Sequence, residues 1–582
     1  MSEEKNVFDL VIVGGGLAGL VAGVRAAELG LRAAILEQGS GADYPCNARQ
    51  SGGIVHIGFH DPFRPPQELV EIMTRMTDGE ARPELVKCLA ENGARLITWL
   101  QEKGARFMRF NQQEGYRWCL APPRSLRAGL DWENRGPDQL LRSLAQQFVG
   151  LGGVLALRTR ALELIMNGKS CVGIESESEG VTQQWFARQC LLADGGFQSN
   201  RALFERYIGP NFETAFQRGA RTGVGSGLGM AVAAGAALVG TRRFYGHVLC
   251  SDARHNDNVW PYPEVDAIAT AGIVVNDHGL RIVDEGRTGV YVANALSAFP
   301  ATTRFYTIFD QSIWEGPGAS ARIPANPLLE QGGGTVVRAA TLSELAAKIG
   351  VPAAALEATV RDYNDAIDRG TLAALDVPRS SRIAPHRIGT APFMAIPVCP
   401  GITYTMGGLA IDEHAQVLDA EGQVIPGLLA AGATTGGLEG GENAVYLGGL
   451  IKAGVFGLVA AEQAARLQDT AVPPVTQTQA PPQAPVQTRA PAPPSGVAIN
   501  AHSAPLPAGL ARFPILGTMV RYGRSIAIGS AVVLGLLICL AGWHWVGALS
   551  IAIGAVVGGI VGIGLMALIE MIRLITELLI PN

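Results

Sequence analysis

A chain of 582 residues exceeds what one core holds, so two or three domains with appendages are expected. Hydrophobic residues make up 48% and charged residues only 17%, with 73 glycines, which suits an α/β protein with many tight turns and an apolar appendage. The net charge of -5 argues against a nucleic-acid partner. The eight cysteines stand far apart with no CxxC pair and no CxxCH, so no zinc site, c-type haem or cysteine-rich iron-sulfur cluster is encoded.

In chain order, residues 8–37 read as strand, Gly turn, helix and strand, and similar segments continue to about Gly240. Residues 241–385 are irregular and rich in Trp, Tyr, Pro and Asn, with helical stretches at 342–349 and 353–367; they read as an inserted α+β capping domain. Residues 386–468 return to strand, Gly-rich turn and a long small-residue helix, completing the domain begun by residues 1–240. Residues 469–511 form a Pro/Ala-rich linker that cannot bury a core. Within 512–582, the stretches 525–542 and 546–569 contain no Asp, Glu, Lys or Arg and flank Trp543-His544-Trp545. They read as a transmembrane helical hairpin, with a soluble or oligomerising hairpin as the alternative. Arg512, Arg521 and Arg524 before it and Arg573 after it put both ends on the cytoplasmic side. Residues 1–6 lack the order of a secretory signal. The expected location is thus the inner (cytoplasmic) membrane, catalytic domain on the cytoplasmic side.

The first motif is Val11-Ile12-Val13-Gly14-Gly15-Gly16-Leu17-Ala18-Gly19, with Glu37 and Gln38 ending the next strand. Gly14 permits the turn, Gly16 lets a pyrophosphate approach the helix N-terminus, Gly19 allows close helix-to-strand packing, and Glu37 can accept from ribose hydroxyls. This implies a Rossmann-like dinucleotide site without distinguishing FAD from NAD.

Three further segments make that distinction by resemblance. Cys46-Asn47-Ala48-Arg49-Gln50-Ser51-Gly52-Gly53 resembles the flavin-contacting loop of the fumarate reductase and succinate dehydrogenase flavoprotein superfamily. Ala193-Asp194-Gly195-Gly196-Phe197 resembles its second flavin segment, and Gly427 through Gly432 to Leu438, followed by Leu447-Gly448-Gly449, its C-terminal one. Gly279-Leu280-Arg281-Ile282-Val283-Asp284-Glu285-Gly286 adds likeness to the tricarballylate and 3-ketosteroid 1-dehydrogenase branches. The resemblance covers about residues 9–468 and implies FAD, held noncovalently because the loop lacks the His to which respiratory members attach it. It also implies hydride exchange between flavin N5 and a carbon near a carbonyl or carboxylate, with proton transfer on the neighbouring carbon.

On the substrate side the chain departs from the dicarboxylate pattern. Tyr404 stands where fumarate reductases place a His, the turn at 439–449 contains no Arg, and Gly289 falls at the proton-donor position, with Arg287 and Tyr291 two residues to either side. Ketosteroid dehydrogenases use a Tyr in the C-terminal turn on the carbonyl oxygen, which Tyr446 matches, and a Tyr near the donor slot, which Tyr291 matches within two residues. The alternative for each Tyr is ordinary packing. His247 is a candidate substrate contact or a structural His; Arg287 is a candidate carboxylate partner or proton donor, or simply pairs with Asp284 or Glu285. Ala433 and Ser226 replace the Glu and Asp of many relatives.

The expected function is therefore a membrane-tethered FAD enzyme for α,β-desaturation or enone reduction beside a ketone, with a quinone or membrane electron carrier as second partner. The alternatives are a carboxylate dehydrogenase or reductase of the tricarballylate type and a flavin-bearing electron-transfer subunit docking a membrane partner. A haem-binding hairpin has only His544 in its favour.

Overall fold

The computed structural model describes residues 7–110 and 114–469. The linker beyond Asp469 and the expected hairpin at 512–582 lie outside the described residues, and among these no helix is long and apolar enough to cross a membrane.

Two sheets organise the chain. The first runs in the order Gln416–Leu418, Val424–Ala430, Val181–Leu192, Val7–Val13, Ala33–Leu36 and Val154–Ala156. Its four central neighbouring pairings, from Val424–Ala430 across to Val154–Ala156, are parallel. The antiparallel strands Thr159–Asn167 and Ser170–Ser178 join it through the first half of Val181–Leu192. Leu10 to Val13 are all buried, the continuous apolar run expected of a strand covered on both faces. Helix Leu17–Glu28 packs on this sheet, on Gly136–Gly150 and on Gly449–Arg466.

Register explains why the Gly-rich turns converge. Val13 pairs with Leu36 on one side and Leu192 on the other, and Leu192 pairs with Ala430. The loops beginning at Gly14, Ala193 and Ala431 therefore leave one carboxyl edge together, forming a crevice of the kind in which open α/β sheets bind ligands. Two close approaches hold it. A Cβ on Gly19 would overlap the Gly14 carbonyl oxygen, and one on Gly457 would lie 2.6 Å from the Ala18 carbonyl oxygen.

The second sheet has the order Phe244–Cys250, Phe393–Thr405, Phe305–Asp310 and Ile273–Asn276, with Val337–Ala339 and Phe216–Gln217 also paired to Phe393–Thr405. Helices Leu342–Ile349 and Ala353–Arg369 lie where the sequence periodicity puts them. The stretch 393–405, assigned from sequence to the flavin domain, is instead the central strand of the cap sheet. Apolar alternation identifies a strand but not its sheet, because partner choice depends on contacts distant in the chain. This strand carries Thr403 and Tyr404 from the cap core to the crevice, and Thr403 is the extra residue where its pairing shifts, since Tyr404 pairs with Tyr245 and Ile402 with Gly246.

Gly19→Val is expected to push helix Leu17–Glu28 off the sheet, lowering unfolding stability by about 1–3 kcal/mol, read by urea denaturation, with loss of bound flavin in the same preparation.

Candidate active site

A cleft of about 1310 Å³, counting the space at its mouth that is open to solvent, lies at the shared carboxyl edge. Gly14, Gly16, Leu17, Ala18, Glu37, Gln38, Asn47, Ser51, Asp194, Gly195, Gly432 and Gly449 all line it. Gly19 lies beneath, as helix-to-strand packing requires, and Gly448 beside it, where a Cβ would overlap the His56 carbonyl oxygen. Gly53 packs against Pro137 and Leu120, and Gly52 has the Tyr262 hydroxyl as its neighbour, so neither is a lining residue.

The backbone at this edge is shaped for close approach of a large anionic ligand. A Cβ on Gly16 or Gly195 would meet no protein atom within 4 Å, so both positions face open space. Helix Leu17–Glu28 has Gly16 as N-cap, no side-chain cap and no acid in its first turn, which leaves its terminal N–H groups for a phosphate. Helix Gly449–Arg466 also starts at the cleft, with its first N–H taken by the Tyr446 hydroxyl. These residues fit a dinucleotide.

Two carboxylates order the edge. Glu37 accepts from the Gly15 N–H at 2.8 Å and the Gly39 N–H at 2.7 Å, and burial raises its pKa. Asp194 accepts from the Gly227 N–H at 2.7 Å, at the start of helix Ser226–Ala233, and from the Thr434 hydroxyl at 3.3 Å. Burial lifts Asp194 to about 6. Ser226 lines the cleft without interrupting that bond. Asn47 ties the flavin-loop helix to the cap strand, donating to the Thr403 carbonyl at 2.7 Å and accepting from the Ala220 N–H at 2.9 Å. Under the loop, the buried Arg49 pairs with Asp138.

At the other end, Tyr404 and Tyr446 line the cleft together with Tyr245, to which no role was assigned from sequence. Tyr404 donates to the buried Glu439 carboxylate, 2.9 Å from Oε2. The same carboxylate accepts from the N–H groups of Leu447 at 2.9 Å and Gly448 at 3.1 Å, and pairs with the buried Lys452 ammonium at 3.3 Å. The Tyr404 hydroxyl proton is thus committed to Glu439. Burial, then the Glu439 charge, pushes its pKa well above the tyrosine range.

Tyr446 differs. Its hydroxyl oxygen accepts the Gly449 N–H at 3.1 Å, and among the described residues nothing accepts its proton. Burial raises its pKa, so the hydroxyl stays a donor. Its ring stacks on Tyr245 with centroids 3.9 Å apart and meets the edge of His56 at 5.4 Å. His56 accepts the Phe59 N–H at 3.0 Å, and burial drops it to about 3, so it is neutral.

The remaining sequence candidates stand apart. Arg287 bonds Asp284 at 3.3 Å and Asn443 at 2.5 Å and lies over the Tyr291 ring at 4.5 Å; neither Arg287 nor Tyr291 lines the cleft. Counting residues from Glu285 cannot foresee this, because helix Gly289–Leu296 starts there and sets their direction. His247 also is not a lining residue, but it touches Tyr245, which is. Glu439, Lys452 and Tyr245 escaped sequence reasoning because no spacing announces a partner made by tertiary contact. A second cluster, with no motif to signal it, is the buried Arg124 and Arg218, at 4.7 and 5.5 Å from the centre of the Tyr262 ring.

Lys452→Met is expected to cost about 3–5 kcal/mol in urea denaturation by stranding the Glu439 charge, with much of the loss recovered by adding Glu439→Gln. Asp194 contributes in the opposite sense to a salt-bridged acid. Its folded pKa lies above the unfolded value, so the apo protein loses stability, by roughly 1–3 kcal/mol, as pH rises from about 4 to about 6. Asp194→Asn, which keeps an acceptor for Gly227, is expected to flatten that slope in thermal melts of apo protein.

Residues 9–444 match the family model described as FAD binding domain. The chain is 30% identical over 347 residues, 57% of its length and 32% of the relative's, to an NADH:acrylate oxidoreductase of Vibrio harveyi. It thus spans about a third of that relative. It is 27% identical over 476 residues to a cytochrome-type fumarate reductase of Shewanella frigidimarina, covering 80% of this chain and 78% of the relative. The fold is similar to that of a 3-ketosteroid-Δ4-(5α)-dehydrogenase from Rhodococcus jostii, with a TM-score of 0.60, 23% identity, and coverage of 80% of this chain and 98% of the other.

Proposed function

The chain belongs to the FAD binding domain family, within the fumarate reductase and succinate dehydrogenase flavoprotein superfamily, and on that premise we propose that it oxidises or reduces a carbon–carbon bond next to a ketone carbonyl. FAD bound in the cleft supplies two-electron hydride chemistry at N5. The residues that would hold it are the turn at Gly14 to Gly16, the loop at Asn47 and the uncapped start of helix Leu17–Glu28.

The observation that carries the ketone reading is the Tyr446 hydroxyl. Its oxygen is held by the Gly449 N–H and its proton is uncommitted, in a turn where the resemblance places an Arg for dicarboxylates. A neutral, pre-oriented donor suits a carbonyl oxygen on which negative charge develops. The stacked rings of Tyr245 and Tyr446, with His56 and Phe59 against them, favour a cyclic or planar substrate.

A second reading, a substrate carrying a carboxylate, is favoured by Arg124. It is 7% exposed, and its Nε and Nη1 have no partner among the described residues. Like Arg287 and His247 it is not a lining residue of the cleft, so this reading rests on its unpaired, buried donors alone.

The electron partner we propose is a quinone or similar carrier in the cytoplasmic membrane. Residues 512–582 would tether the flavin domain there, on the grounds of the two uncharged stretches and the flanking arginines. Membrane fractionation of the full chain tests the tether, with recovery in the soluble fraction overturning it.

The function is tested anaerobically on the full chain purified in detergent. Cyclic enones are expected to reoxidise the dithionite-reduced flavin. Tyr446→Phe should slow this by about 10²–10³-fold with flavin retained. Reoxidation by unsaturated carboxylic acids alone overturns the ketone reading in favour of the second.

A further inference from the structure

The slot that the resemblance reserves for a proton donor is Gly289, which has no side chain to give. The structure fills that space from another element. A Cβ on Gly289 would overlap the Asp266 carboxyl group, so the Asp266 side chain lies where a longer residue at 289 would be.

Asp266 opens the helix Asp266–Ala271 and makes two bonds with its two oxygens. Oδ1 accepts the Val248 N–H at 2.7 Å, and Oδ2 lies 2.6 Å from His247 Nδ1. The other nitrogen of the imidazole, Nε2, is 3.0 Å from the Tyr245 hydroxyl. Tyr245 lines the cleft with its ring flat against Tyr446. Three side chains thus run in a line from the slot at Gly289 to the cleft beside the proposed carbonyl donor. The His247 side chain is 12% exposed, and its ring meets that of Tyr245, two residues before it on the same strand, edge-on with centroids 5.2 Å apart.

We propose that Tyr245, His247 and Asp266 form the proton relay of this enzyme, with Tyr245 as the group that touches the substrate carbon and the other two as positioning residues. The inference rests on the carbonyl reading of the cleft. A carboxylate on Nδ1 holds the Nδ1–H tautomer, so in neutral imidazole Nε2 accepts the Tyr245 O–H proton. The tyrosine oxygen then faces the cleft as an acceptor. In desaturation the α C–H bond breaks as its proton forms a new O–H bond on Tyr245, whose own proton moves to His247 Nε2. The electron pair left on the α carbon becomes the C=C bond as the β carbon gives up a hydride, for which FAD, when bound, would be the two-electron oxidant. The imidazolium formed is balanced by Asp266 and by Glu264, 3.4 Å from Nε2. In reduction each step runs backwards.

His247, Glu264 and Asp266 are also spaced as metal ligands. Against a cation there, the buried Arg218 bonds Glu264 at 3.2 Å and already places a positive charge beside the trio. Its other contacts, to the Thr403 hydroxyl at 2.9 Å and the Pro261 carbonyl at 2.8 Å, hold that charge in place.

The test isolates the proton step. Full-length enzyme with dithionite-reduced flavin binds a saturated cyclic ketone but cannot oxidise it, so exchange of the ketone's α-protons with D₂O, followed by NMR, reports deprotonation alone. Wild type is expected to exchange. Tyr245→Phe should slow exchange by at least about 10²-fold with flavin content unchanged. His247→Ala should slow it comparably, and the double variant should be no slower than Tyr245→Phe, because the two act as one unit. Gly289→Ala, which displaces Asp266 without touching Tyr245 or the cleft, should lower it in the same direction as Asp266→Asn. Undiminished exchange in Tyr245→Phe, or fully additive losses in the double variant, overturns the relay. If wild type instead reduces only unsaturated acids, the ketone reading fails on its own. The same variants are then scored by single-turnover reduction of acrylate, where an unaffected Tyr245→Phe overturns the relay and a comparable loss supports it.

Discussion

The Glu439 carboxylate is the constraint on which the substrate end of this molecule depends. It is removed from water and surrounded by donors from three directions: the Tyr404 hydroxyl from the cap strand, the Leu447 and Gly448 N–H groups from the C-terminal turn, and the Lys452 ammonium from the helix that follows. Lys452 also donates to the Thr435 carbonyl at 3.1 Å, which ties in the preceding turn. An ion pair this buried gains little net stability over an apolar substitute, since desolvation offsets attraction. What it does is set position. Gly448 is held at φ +132°, the following helix starts at the cleft edge, and the Tyr446 hydroxyl comes within reach of the Gly449 N–H.

The same carboxylate links the two sheets. Tyr404 belongs to the strand at the centre of the cap, while Glu439 and Lys452 belong to the segment closing the flavin domain. Thr405, next along that strand, accepts the Phe197 N–H at 3.2 Å through its hydroxyl, and the Thr403 carbonyl accepts from Asn47. One strand thus touches the second flavin segment, the flavin loop and the C-terminal turn within three residues. Cap and flavin domain cannot shift independently there without breaking bonds between buried groups, which is costly.

The aromatic wall follows from the same geometry. Tyr245 is the register partner of Tyr404, so fixing one fixes the other, and Tyr446 stacks on Tyr245 while meeting the Tyr404 ring edge-on at 6.5 Å. The three tyrosines then do different work by the partner each hydroxyl finds: Tyr404 is committed to Glu439, Tyr245 to His247, and Tyr446 keeps a free proton. Like residues in one pocket are separated in chemistry by what surrounds them.

The cofactor half of this arrangement was legible in the linear order of residues, because its chemistry is local. Gly14, Gly16 and Gly19 act within one turn, and strand, turn and helix are encoded by neighbours. The segments at Asn47, Asp194 and Gly432 were likewise legible by resemblance, since backbone groups do much of their work. The substrate half was not. Tyr404 and Tyr446 were read as equals, yet a carboxylate 35 residues from one of them decides that only the other is free. Tyr291 and Arg287 were drawn in by counting along the chain, and the direction of a helix start takes them elsewhere. Asp266 reaches the space above Gly289 from a separate helix. Sequence by itself determined that the chain is an FAD-binding one and singled out the Gly-rich turns that line its cleft. Which side chains meet over it was decided by tertiary structure, because hydroxyl, imidazole and carboxylate roles depend on distances of about 3 Å between elements far apart in the chain.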